Sequence, residues 1–367
     1  MNTYITSVLF TFIITTASMS AASAKPPRSR LIGPEEIQRL TQLGILPDFE
    51  EFKNPAEIRF DHSIEEEIEL REGALEDLVW NNFPKHVFIL ASLEDLNSIA
   101  KCDEIRNNVR FLSVNGPLGA GPVFNPKKVF AALAEFPSLE IVEIRSMQPF
   151  GPEIAILSKC SKLQSLEIRV YKSMRVPKEL YMLNLKGLYL IDSGANSIEF
   201  PEGISLMKNL RLLQCEYFSK VSFPKDLKSM RLDGVVIRGC GIGDEIYDVL
   251  PEELKWLDLS ETKVTEFVPW RLTKNLEELY LYGCQIKELP DPLLVPRNLR
   301  IINLANNRIR MIPSIRPERR FGWEIYLNGN PIKKVSEEAI NYIFGPSYSR
   351  VFVDRIIMER LLDLKTK

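Results

Sequence analysis

The sequence is poor in the residues that most often build chemical sites. It has two histidines, His62 and His86, in 367 residues, which argues against a multi-histidine metal site and leaves few general bases near neutral pH. Its 47 Lys and Arg residues do not outnumber its 49 Asp and Glu residues, so the basic excess typical of nucleic-acid binding is missing. Its five cysteines form no Cys-x-x-Cys pair, and an odd, scattered set is not a disulfide framework. We therefore expect no metal, no cofactor and no nucleic-acid partner.

Enzyme motifs are missing as well. The sequence contains no P-loop, dinucleotide fingerprint, Gly-x-Ser-x-Gly elbow or metal-binding motif. Gly119 and Gly121 form a glycine pair that is too small to cradle a phosphate. His62 and His86 are interpreted as structural or surface residues. We therefore predict a protein that is not an enzyme and has no catalytic residues.

The start of the chain is typical of an exported protein. A mostly apolar run without a charge extends from Ile5 to Ser20, and Ala22-Ser23-Ala24 follows it. Small residues at these positions fit a signal peptidase, so we predict a signal peptide over 1–24, cleaved after Ala24, and a secreted or periplasmic location. The first four residues lack Lys and Arg, and an uncleaved anchor remains the alternative. The run is short for a membrane span of about 20 apolar residues, and no later segment is apolar enough to cross a bilayer.

The middle of the chain repeats the frame apolar-x-x-apolar-x-apolar. Its clearest copies begin at Leu254, Leu276, Leu299 and Gly322, and weaker copies are centred on Leu112, Val142, Leu166, Leu188, Leu213 and Met230. The mean spacing of about 24 residues lies in the range of short solenoid repeats. The frame predicts one short strand per repeat, with alternate side chains on opposite faces. Stacked in parallel, about ten such strands would bury one continuous apolar core.

Polar side chains at the turns support this interpretation. Asn307 and Asn330 follow their strands at the same position of the repeat, and Cys284 takes that position in an earlier copy. A buried asparagine there can bond the backbone groups that the turn leaves without partners. Cys284 is interpreted as a small buried residue with a weak donor, not a reactive thiol.

The repeat resembles the leucine-rich-repeat family over residues 107–332, and its Pro residues after several turns are similar to the typical and bacterial subclasses. The resemblance implies an α/β solenoid, with a parallel sheet on the concave face and helices or short turns on the convex face. Residues 25–106 would form an N-terminal flank and helical cap, and residues 333–367 a C-terminal helical cap. Within the flanks we expect helices at 34–44, from Ser63 to about Leu78, and over Ser336–Phe344 and Val353–Leu364. Val87–Leu90 is predicted as a strand of a degenerate first repeat or of the cap.

Aromatic side chains collect at outward positions of neighbouring strands. The frame places Trp256, Tyr280, Tyr282 and Tyr326 on the outward face, with Tyr189, Arg231, Asp233 and Asp258 on the same side. Aromatic and arginine side chains dominate the energetics of protein interfaces. Strands also favour aromatic residues for their own packing, which is the structural alternative. We predict that these eight residues form a binding face for a macromolecule, most directly a protein.

Three other functions stay open at this level. The same face could bind a glycan or a cell-wall polymer by stacking on its aromatic rings. An enzyme with an unrecognised site in the N-terminal flank is a second alternative, and a purely structural envelope protein is a third. The fold is a scaffold, and its partner is determined by surface residues.

Overall fold

The fold is seen in a computed structural model that describes residues 87–90, 93–101, 103–114, 125–192, 194, 196–268, 275–318, 322–344 and 350–359. The predicted signal peptide, the two helices expected before residue 80 and Cys102 lie outside the described residues. The chain divides into two compact units. Unit 1 comprises Met1–Tyr171 and Met182–Ser193, and unit 2 comprises Lys172–Tyr181 and Gly194–Lys367.

Short strands alternate with short connectors throughout the described chain. The strands are β1 (Val87–Leu90), β2 (Phe111–Val114), β3 (Ile141–Met147), β4 (Ser165–Val170), β5 (Met174–Arg175), β6 (Gly187–Asp192), β7 (Ser197–Glu199), β8 (Leu212–Glu216), β9 (Lys220–Ser222), β10 (Gly234–Arg238), β11 (Trp256–Asp258), β12 (Glu278–Tyr280), β13 (Leu293–Val295), β14 (Ile301–Asn303), β15 (Met311–Ile312), β16 (Ile315–Pro317), β17 (Glu324–Tyr326), β18 (Lys334–Val335) and β19 (Arg350–Phe352). The α-helices are α1 (Leu93–Ala100), α2 (Asp103–Asn108), α3 (Pro126–Leu133) and α4 (Glu337–Phe344), and 3-10 helices cover Pro152–Lys159, Lys178–Met182, Ile204–Leu206, Lys225–Ser229 and Asp244–Asp248.

Unit 1 is a parallel ladder of β1, β2, β3, β4 and β6 in that order. Leu112, Val142, Leu166 and Leu188 are paired across it in register and are fully buried, so the frame predicted for these four repeats is confirmed. Strand β1 pairs with β2 in the same direction, so the ladder begins before residue 107. Helix α3 begins with a side-chain cap, because Asn125 Oδ1 accepts a hydrogen bond from Lys128 N at 3.2 Å.

Unit 2 contains a second run of parallel strands, β8, β10, β11, β12, β14, β17 and β19. One inward column of this ladder consists of Leu213, Val235, Leu257, Leu279, Ile302, Ile325 and Val351. Smaller parallel sheets join β5, β7 and β9, β13 and β16, and β15 and β18. The inward column confirms the four clearest copies of the frame, because its members from Leu257 to Ile325 are their predicted centres.

The frame centred on Met230 is wrong. The strand of that repeat is β10, and its Val235 pairs with Leu213 and Leu257, 22 residues away on either side. Met230 instead follows the 3-10 helix Lys225–Ser229. Leu227, Met230 and Leu232 are all buried, and their spacing is the same as that of the apolar positions of a strand frame. They lie five residues before the true frame, so the pattern placed the strand too early in the sequence.

Asparagine side chains close the late turns as predicted. Asn307 Nδ2 donates to Leu281 O at 2.7 Å and to Leu304 O at 3.0 Å, while its Oδ1 accepts from Ile286 N at 3.0 Å. Asn330 makes the same three kinds of bond one coil later. Cys284 stands in the equivalent place and donates from Sγ to Leu259 O at 3.2 Å. The backbone of neighbouring coils is therefore joined through one repeated side-chain position.

The ladder continues beyond residue 332. Strand β19 pairs in parallel with β17, so the residues before Val353 form a strand, and helical structure follows at 355–359. The remainder of the helix predicted to end at Leu364 lies outside the described residues. Helix α4 is confirmed, and Ser336 Oγ accepts from Ala339 N at 3.1 Å at its start.

Candidate functional site

The outward side of the unit 2 ladder, called here the strand face, has three columns of side chains. The first column is Leu212, Gly234, Trp256, Glu278, Ile301, Glu324 and Arg350. The second is Gln214, Val236, Asp258, Tyr280, Asn303, Tyr326 and Phe352. The third is Glu216, Arg238, Ser260, Tyr282, Ala305 and Asn328. Parallel pairing in register places the members of a column one strand spacing apart, about 4.8 Å. Neighbours in a column therefore cover one another.

Five of the eight predicted site residues lie on the strand face: Trp256, Asp258, Tyr280, Tyr282 and Tyr326. Arg231 and Asp233 do not, because the misplaced frame put them in strand positions that Val236 and Arg238 occupy. Arg231 is exposed before β10. Asp233 Oδ1 lies 2.8 Å from Lys255 Nζ at the entrance to the strands. Tyr189 belongs to β6 of unit 1.

Trp256 is far more covered than its outward position predicts, with only 7% of its surface exposed. Its ring lies against Gly234, where an added Cβ would come within 2.8 Å of Trp256 Cε3 and 3.1 Å of Leu212 Cδ1. The missing side chain at Gly234 thus makes room for the indole on the neighbouring strand. Trp256 is a packed part of the strand face, so truncating it would disturb both stability and the surface.

Two repeats of unit 2 carry the same hydrogen-bonded pair of side chains. Tyr280 Oη donates to Glu278 Oε2 at 2.9 Å, and Tyr326 Oη donates to Glu324 Oε2 at 2.6 Å. In each pair the residues are two apart on one strand, so both side chains project from the same face. We call these pairs the Glu–Tyr clamps. They fix an aromatic ring and a carboxylate together in the first two columns.

Neighbouring residues hold the clamp tyrosines further. Tyr326 stacks on Phe352 of β19, with ring centroids 4.6 Å apart and an angle of 11° between the rings. Tyr280 is only 5% exposed, whereas Tyr326 is half-buried. The two clamps therefore differ in how much of the ring is available at the surface.

A charged cluster occupies the other end of the strand face. Arg238 Nη2 lies 2.5 Å from Asp258 Oδ2, and its Nη1 lies 3.6 Å from Glu216 Oε1. Asp258 Oδ1 also accepts a hydrogen bond from Ser260 N at 2.9 Å. Burial alone would lower the pKa of Arg238, but the two carboxylates outweigh it and raise that pKa above its ordinary value. Arg238 therefore keeps its positive charge beside Glu216 and Asp258, which are 1% and 2% exposed.

Sequence reasoning missed Arg238 because of the Met230 frame. The irregular spacing was the available signal: steps of 17 and 27 residues surround Met230, whereas Val235 gives 22 on both sides. Moving the frame by five residues brings Arg238 between Glu216 and Ser260 in the third column. It also brings Gly234 beside Trp256.

The chain leaves the strands of unit 2 through residues with a positive φ at one position of the repeat. The set alternates between larger residues and glycine: Tyr217, Gly239, Glu261, Gly283, Asn306 and Gly329. An added Cβ at Gly239 would lie 2.6 Å from the Tyr217 ring, and one at Gly329 would lie 1.8 Å from Asn306 Oδ1. Each larger side chain therefore covers the glycine of the next coil. Asn306 Nδ2 also donates to Tyr282 Oη at 2.6 Å, which fixes Tyr282 at this rim.

The outward side of unit 1 is built from other residues. Glu143 and Glu167 are each 1% exposed, and Arg169 Nε lies 3.5 Å from Glu167 Oε1. Burial, and then the charge of Glu167, raises the pKa of Tyr189. Tyr189 is thus a covered residue in a charged environment and is not part of the aromatic set of unit 2.

Other features bear on the predicted absence of chemical sites. Within the described ranges, no group of three or more His, Cys, Asp or Glu side chains is placed to hold a metal ion. Cys160, Cys215, Cys240 and Cys284 are free and buried, and burial raises the pKa of the Cys160 thiol to about 11. This is the environment of an inert structural thiol. In the same part of the chain, no helix combines the length and apolar character needed to cross a membrane.

The comparisons with known proteins point to one kind of repeat. The Leucine Rich Repeat family profile matches residues 275–295. Toll-like receptor 7 of Mus musculus is 32% identical over 127 residues, which cover 32% of this chain and 11% of the receptor. Disease resistance protein RPS4B of Arabidopsis thaliana is 28% identical over 165 residues, which cover 43% of this chain and 13% of that protein. The chain thus matches only a small part of each relative.

Solved structures with a similar chain path have low sequence identity to this protein. The leucine-rich repeat domain of APL1B has a TM-score of 0.43 at 15% identity, over 74% of this chain and 83% of that one. The Leptospira interrogans LRR protein LIC12759 has a TM-score of 0.35 at 15% identity, over 72% of this chain and 99% of that one.

Proposed function

Because this chain is a leucine-rich-repeat protein, we propose that it binds a protein partner on the strand face of unit 2 and has no enzymatic activity. The repeat pattern predicts this face to be concave. The observation that carries the proposal is the repeated Glu–Tyr clamp, Glu278 with Tyr280 and Glu324 with Tyr326. Packing of the ladder explains the inward columns, but it does not require two identical hydrogen-bonded pairs on the outward side.

The clamps favour binding for an energetic reason. Association must offset the entropy lost when side chains at the interface become ordered. A tyrosine whose hydroxyl is already bonded, and whose ring is stacked as in Tyr326 and Phe352, has little of that freedom left to lose. Rigid aromatic area with a polar tip is the type of surface that protein interfaces use most.

The proposed site residues have different roles. Tyr282 and Tyr326, which are half-buried, would contact the partner directly. Trp256 and Tyr280, which are largely buried, would pack beside these tyrosines and expose only a small edge of each ring to the partner. The third column adds the cluster of Arg238 with Asp258 and Glu216.

Two more residues lie beside the strand face rather than in it. Arg231 is exposed, and Asp233 pairs with Lys255. We assign Arg231 and Asp233 to the rim, where charges affect association rates more than final affinity. Tyr189 of unit 1 is left out of this binding face.

Export belongs to the same proposal and rests on the apolar run from Ile5 to Ser20 and on Ala22-Ser23-Ala24. The mature protein would begin at Lys25 in a secreted or periplasmic location. Intact-mass measurement of protein recovered from outside the cytoplasm tests this. Retention of Met1 in that fraction would contradict cleavage.

The binding proposal is tested with paired variants. Wild type, Tyr282→Ala, Tyr326→Ala and two controls, Lys287→Ala and Arg310→Ala, are immobilised and incubated with extract from the surroundings of the producing cell. Both controls remove exposed charges outside the ladder strands. A supporting partner is one that both tyrosine variants lose, that both controls keep, and that binds the wild type as a purified protein by titration calorimetry.

Two results would change the proposal. Equal losses in all four variants would place the contact away from the strand face. If no such protein were found, but the wild type bound a glycan array and the tyrosine variants did not, the strand face would remain the binding surface. The partner would then be a glycan instead of a protein.

A further inference from the structure

Exposed cations collect where the chain turns away from strands β12, β14 and β17 of unit 2. Ile286, Ile309 and Ile332 are buried at equivalent positions of these three coils. One residue before each isoleucine and two residues after it reach the surface, and these nine residues are Gln285, Lys287 and Glu288, then Arg308, Arg310 and Met311, then Pro331, Lys333 and Lys334. The five cations among them are called here the basic edge: Lys287, Arg308, Arg310, Lys333 and Lys334.

The basic edge is not neutralised by neighbouring side chains of the described residues. All five cations are exposed, and the nine surface positions contain a single carboxylate, Glu288. Within the described ranges, none of the five takes part in an ion pair. Folding of the chain therefore gives no account of why these charges lie side by side.

The acidic residues nearby belong to other parts of the coils. Asp291 Oδ1 accepts from Ser314 N at 3.2 Å and from Ser314 Oγ at 2.6 Å, so it is held by the next coil. Glu337 and Glu338 open helix α4, three and four residues beyond Lys334. In the coils before the basic edge, the position of Glu288 is held by acids, Asp244 and Glu266. The sign of the charge thus reverses along this side of unit 2.

Backbone hydrogen bonds fix the spacing of these cations. Arg308 N donates to Ile286 O at 2.8 Å, and Lys333 N donates to Arg310 O at 2.8 Å. Strands β15 and β18 pair Met311 with Lys334 in parallel. Coils joined in this way lie about 4.8 Å apart, so the three coils span about 9.6 Å. Five positive charges over that span require a ligand that is itself densely charged.

The other side chains at the nine positions narrow the class of ligand. None of the nine is aromatic, and the only large apolar one is Met311, which is 42% exposed. Protein interfaces are anchored by aromatic side chains and are poor in lysine. Single-stranded nucleic acids are held by stacking on aromatic rings, and helices on membrane surfaces insert Trp, Phe or Leu. A hydrophilic polyanion, held by charge alone, fits these positions best.

We propose that the basic edge of unit 2 binds a sulfated polysaccharide. The polymer runs across the three coils, and its sulfate groups meet Lys287, Arg310 and Lys333 in turn, with Arg308 and Lys334 beside them. Arginine binds such oxyanions through paired N–H groups and lysine as a point charge. Sulfated sugars also supply the charge density that the spacing of the cations requires. This goes beyond the proposed function, because it assigns a second surface and a second class of ligand.

A heparin oligosaccharide with a fluorescent label is the probe for this inference. Its binding to the full chain is measured by fluorescence anisotropy at low salt, where charge contributes most. Three comparisons have other chemistry: the same oligosaccharide after removal of its sulfate groups, a double-stranded oligonucleotide, and vesicles of phosphatidylcholine with phosphatidylglycerol. We expect the sulfated probe to bind at least about tenfold more tightly than the desulfated one, and its affinity to fall as salt is added.

Matched double variants separate the basic edge from charge in general. Arg310→Gln with Lys333→Gln removes two neighbouring cations, and we expect it to weaken heparin binding about tenfold, at about threefold for each exposed ionic contact. Arg310→Lys with Lys333→Arg keeps both charges and should bind within about threefold of the wild type. Lys208→Gln with Lys225→Gln removes two exposed cations elsewhere in unit 2 and should also bind like the wild type.

Four results overturn the inference. They are failure of the wild type to bind heparin, equal binding of the desulfated oligosaccharide, tighter binding of the oligonucleotide or the vesicles, and equal losses in the two glutamine double variants. The tyrosine variants keep this test apart from that of the proposed function. Tyr282→Ala and Tyr326→Ala should bind heparin like the wild type, and a loss in both would move the polysaccharide from the basic edge to the strand face.

Discussion

Units 1 and 2 build similar parallel ladders but close their repeats by different means. In unit 1 the connectors include α1, α2 and α3, whose backbone groups are bonded within each helix. In late unit 2 the connectors contain little helix, and Asn307 and Asn330 bond the backbone of two coils at once. The same strand frame can therefore repeat while the backbone groups of the connectors find their hydrogen-bond partners in different ways. In unit 1 a helix provides these partners, and in late unit 2 a buried asparagine side chain provides them.

The outward faces of the two units differ as well as their turns. Unit 1 presents Glu143 and Glu167, both covered, with Arg169 close to Glu167. Unit 2 presents the Glu–Tyr clamps on strands only three residues long. The unit with side-chain turns thus carries the aromatic surface proposed for binding.

The largest expected effect tests whether the inward columns of the two units are equivalent. Leu279 in unit 2 and Leu166 in unit 1 are both fully buried. Changing either to Ala should lower the free energy of unfolding by about 2–5 kcal/mol, as for other buried leucines. Leu294→Ala is the control, because Leu294 is 48% exposed and should cost about 0.5 kcal/mol or less. Urea denaturation measures the free energy of unfolding of all three variants. A loss in Leu279→Ala without one in Leu166→Ala would show that the inward columns of the two units are not equivalent.

The next effect tests the side-chain turns themselves. Asn307→Ala deprives Leu281 O, Leu304 O and Ile286 N of their bonds to the Asn307 side chain. We expect a loss of about 2–4 kcal/mol in the free energy of unfolding, because buried polar groups left without partners are costly. Cys284→Ala, at the same position of the repeat, removes a weak sulfur donor and should cost about 1 kcal/mol. Equal losses in urea denaturation would show that asparagine adds nothing to the turn.

A smaller effect tests the packing of Trp256 against Gly234. Gly234→Ala places a methyl group within 2.8 Å of the Trp256 ring and 3.1 Å of Leu212. The indole must move, and we expect a loss of about 1–3 kcal/mol, as for other overpacked sites. Gly243→Ala is a contrasting change, because its new Cβ would meet the end of the flexible Glu245 side chain. Urea denaturation measures both variants. If Gly234→Ala and Gly243→Ala both had the unfolding midpoint of the wild type, the packing of Trp256 would not depend on the missing side chain at Gly234.

The smallest effect concerns a carboxylate that joins two coils of unit 2. Asp226 Oδ2 accepts from Gly203 N at 3.0 Å and from Ser205 N at 3.1 Å. Burial opposes ionisation of Asp226, but these hydrogen bonds outweigh it and lower its pKa. Its contribution is therefore present above the unfolded pKa of about 3.9 and is lost as the pH falls through the lower folded value.

Asp226→Asn should therefore destabilise the protein at pH 7, and the gap to the wild type should close as the pH falls below about 4. Thermal unfolding at a series of pH values measures this gap. Unit 1 offers the control, because Glu153 Oε1 accepts from Gly151 N only two residues away. Glu153→Gln should have the smaller effect at pH 7. A gap that is constant from pH 7 to pH 2 would refute the role assigned to the Asp226 charge.

The late repeats could be predicted from the sequence because their signals agree. The frame, the spacing and the turn residue all coincide around Leu279, Ile302 and Ile325, and the structure confirms them. Around Met230 the frame and the spacing disagreed, and the spacing was the better guide. Apolar residues before a strand are also buried in a solenoid, so burial alone does not set the register.

The candidate site was predicted less well than the fold. The outward direction of Trp256 was correct, but its burial depends on Gly234, which belongs to the repeat with the wrong frame. The bonds between Tyr280 and Glu278 and between Tyr326 and Glu324 follow from i, i+2 spacing on a strand, so they were accessible to sequence reasoning. Stacking of Tyr326 on Phe352 was not accessible, because Phe352 had been placed outside the ladder.

Site-specific photo-crosslinking tests the central claim most directly. A photoreactive phenylalanine analogue replaces Ala305 or Asn328 on the strand face, or Arg310 or Lys333 at exposed positions outside the three columns. The four proteins are irradiated in the same extract, and the products are confirmed with the purified partner. We predict one protein product from Ala305 and Asn328 and none from Arg310 and Lys333. The same product from Arg310 and Lys333 alone would contradict binding at the strand face.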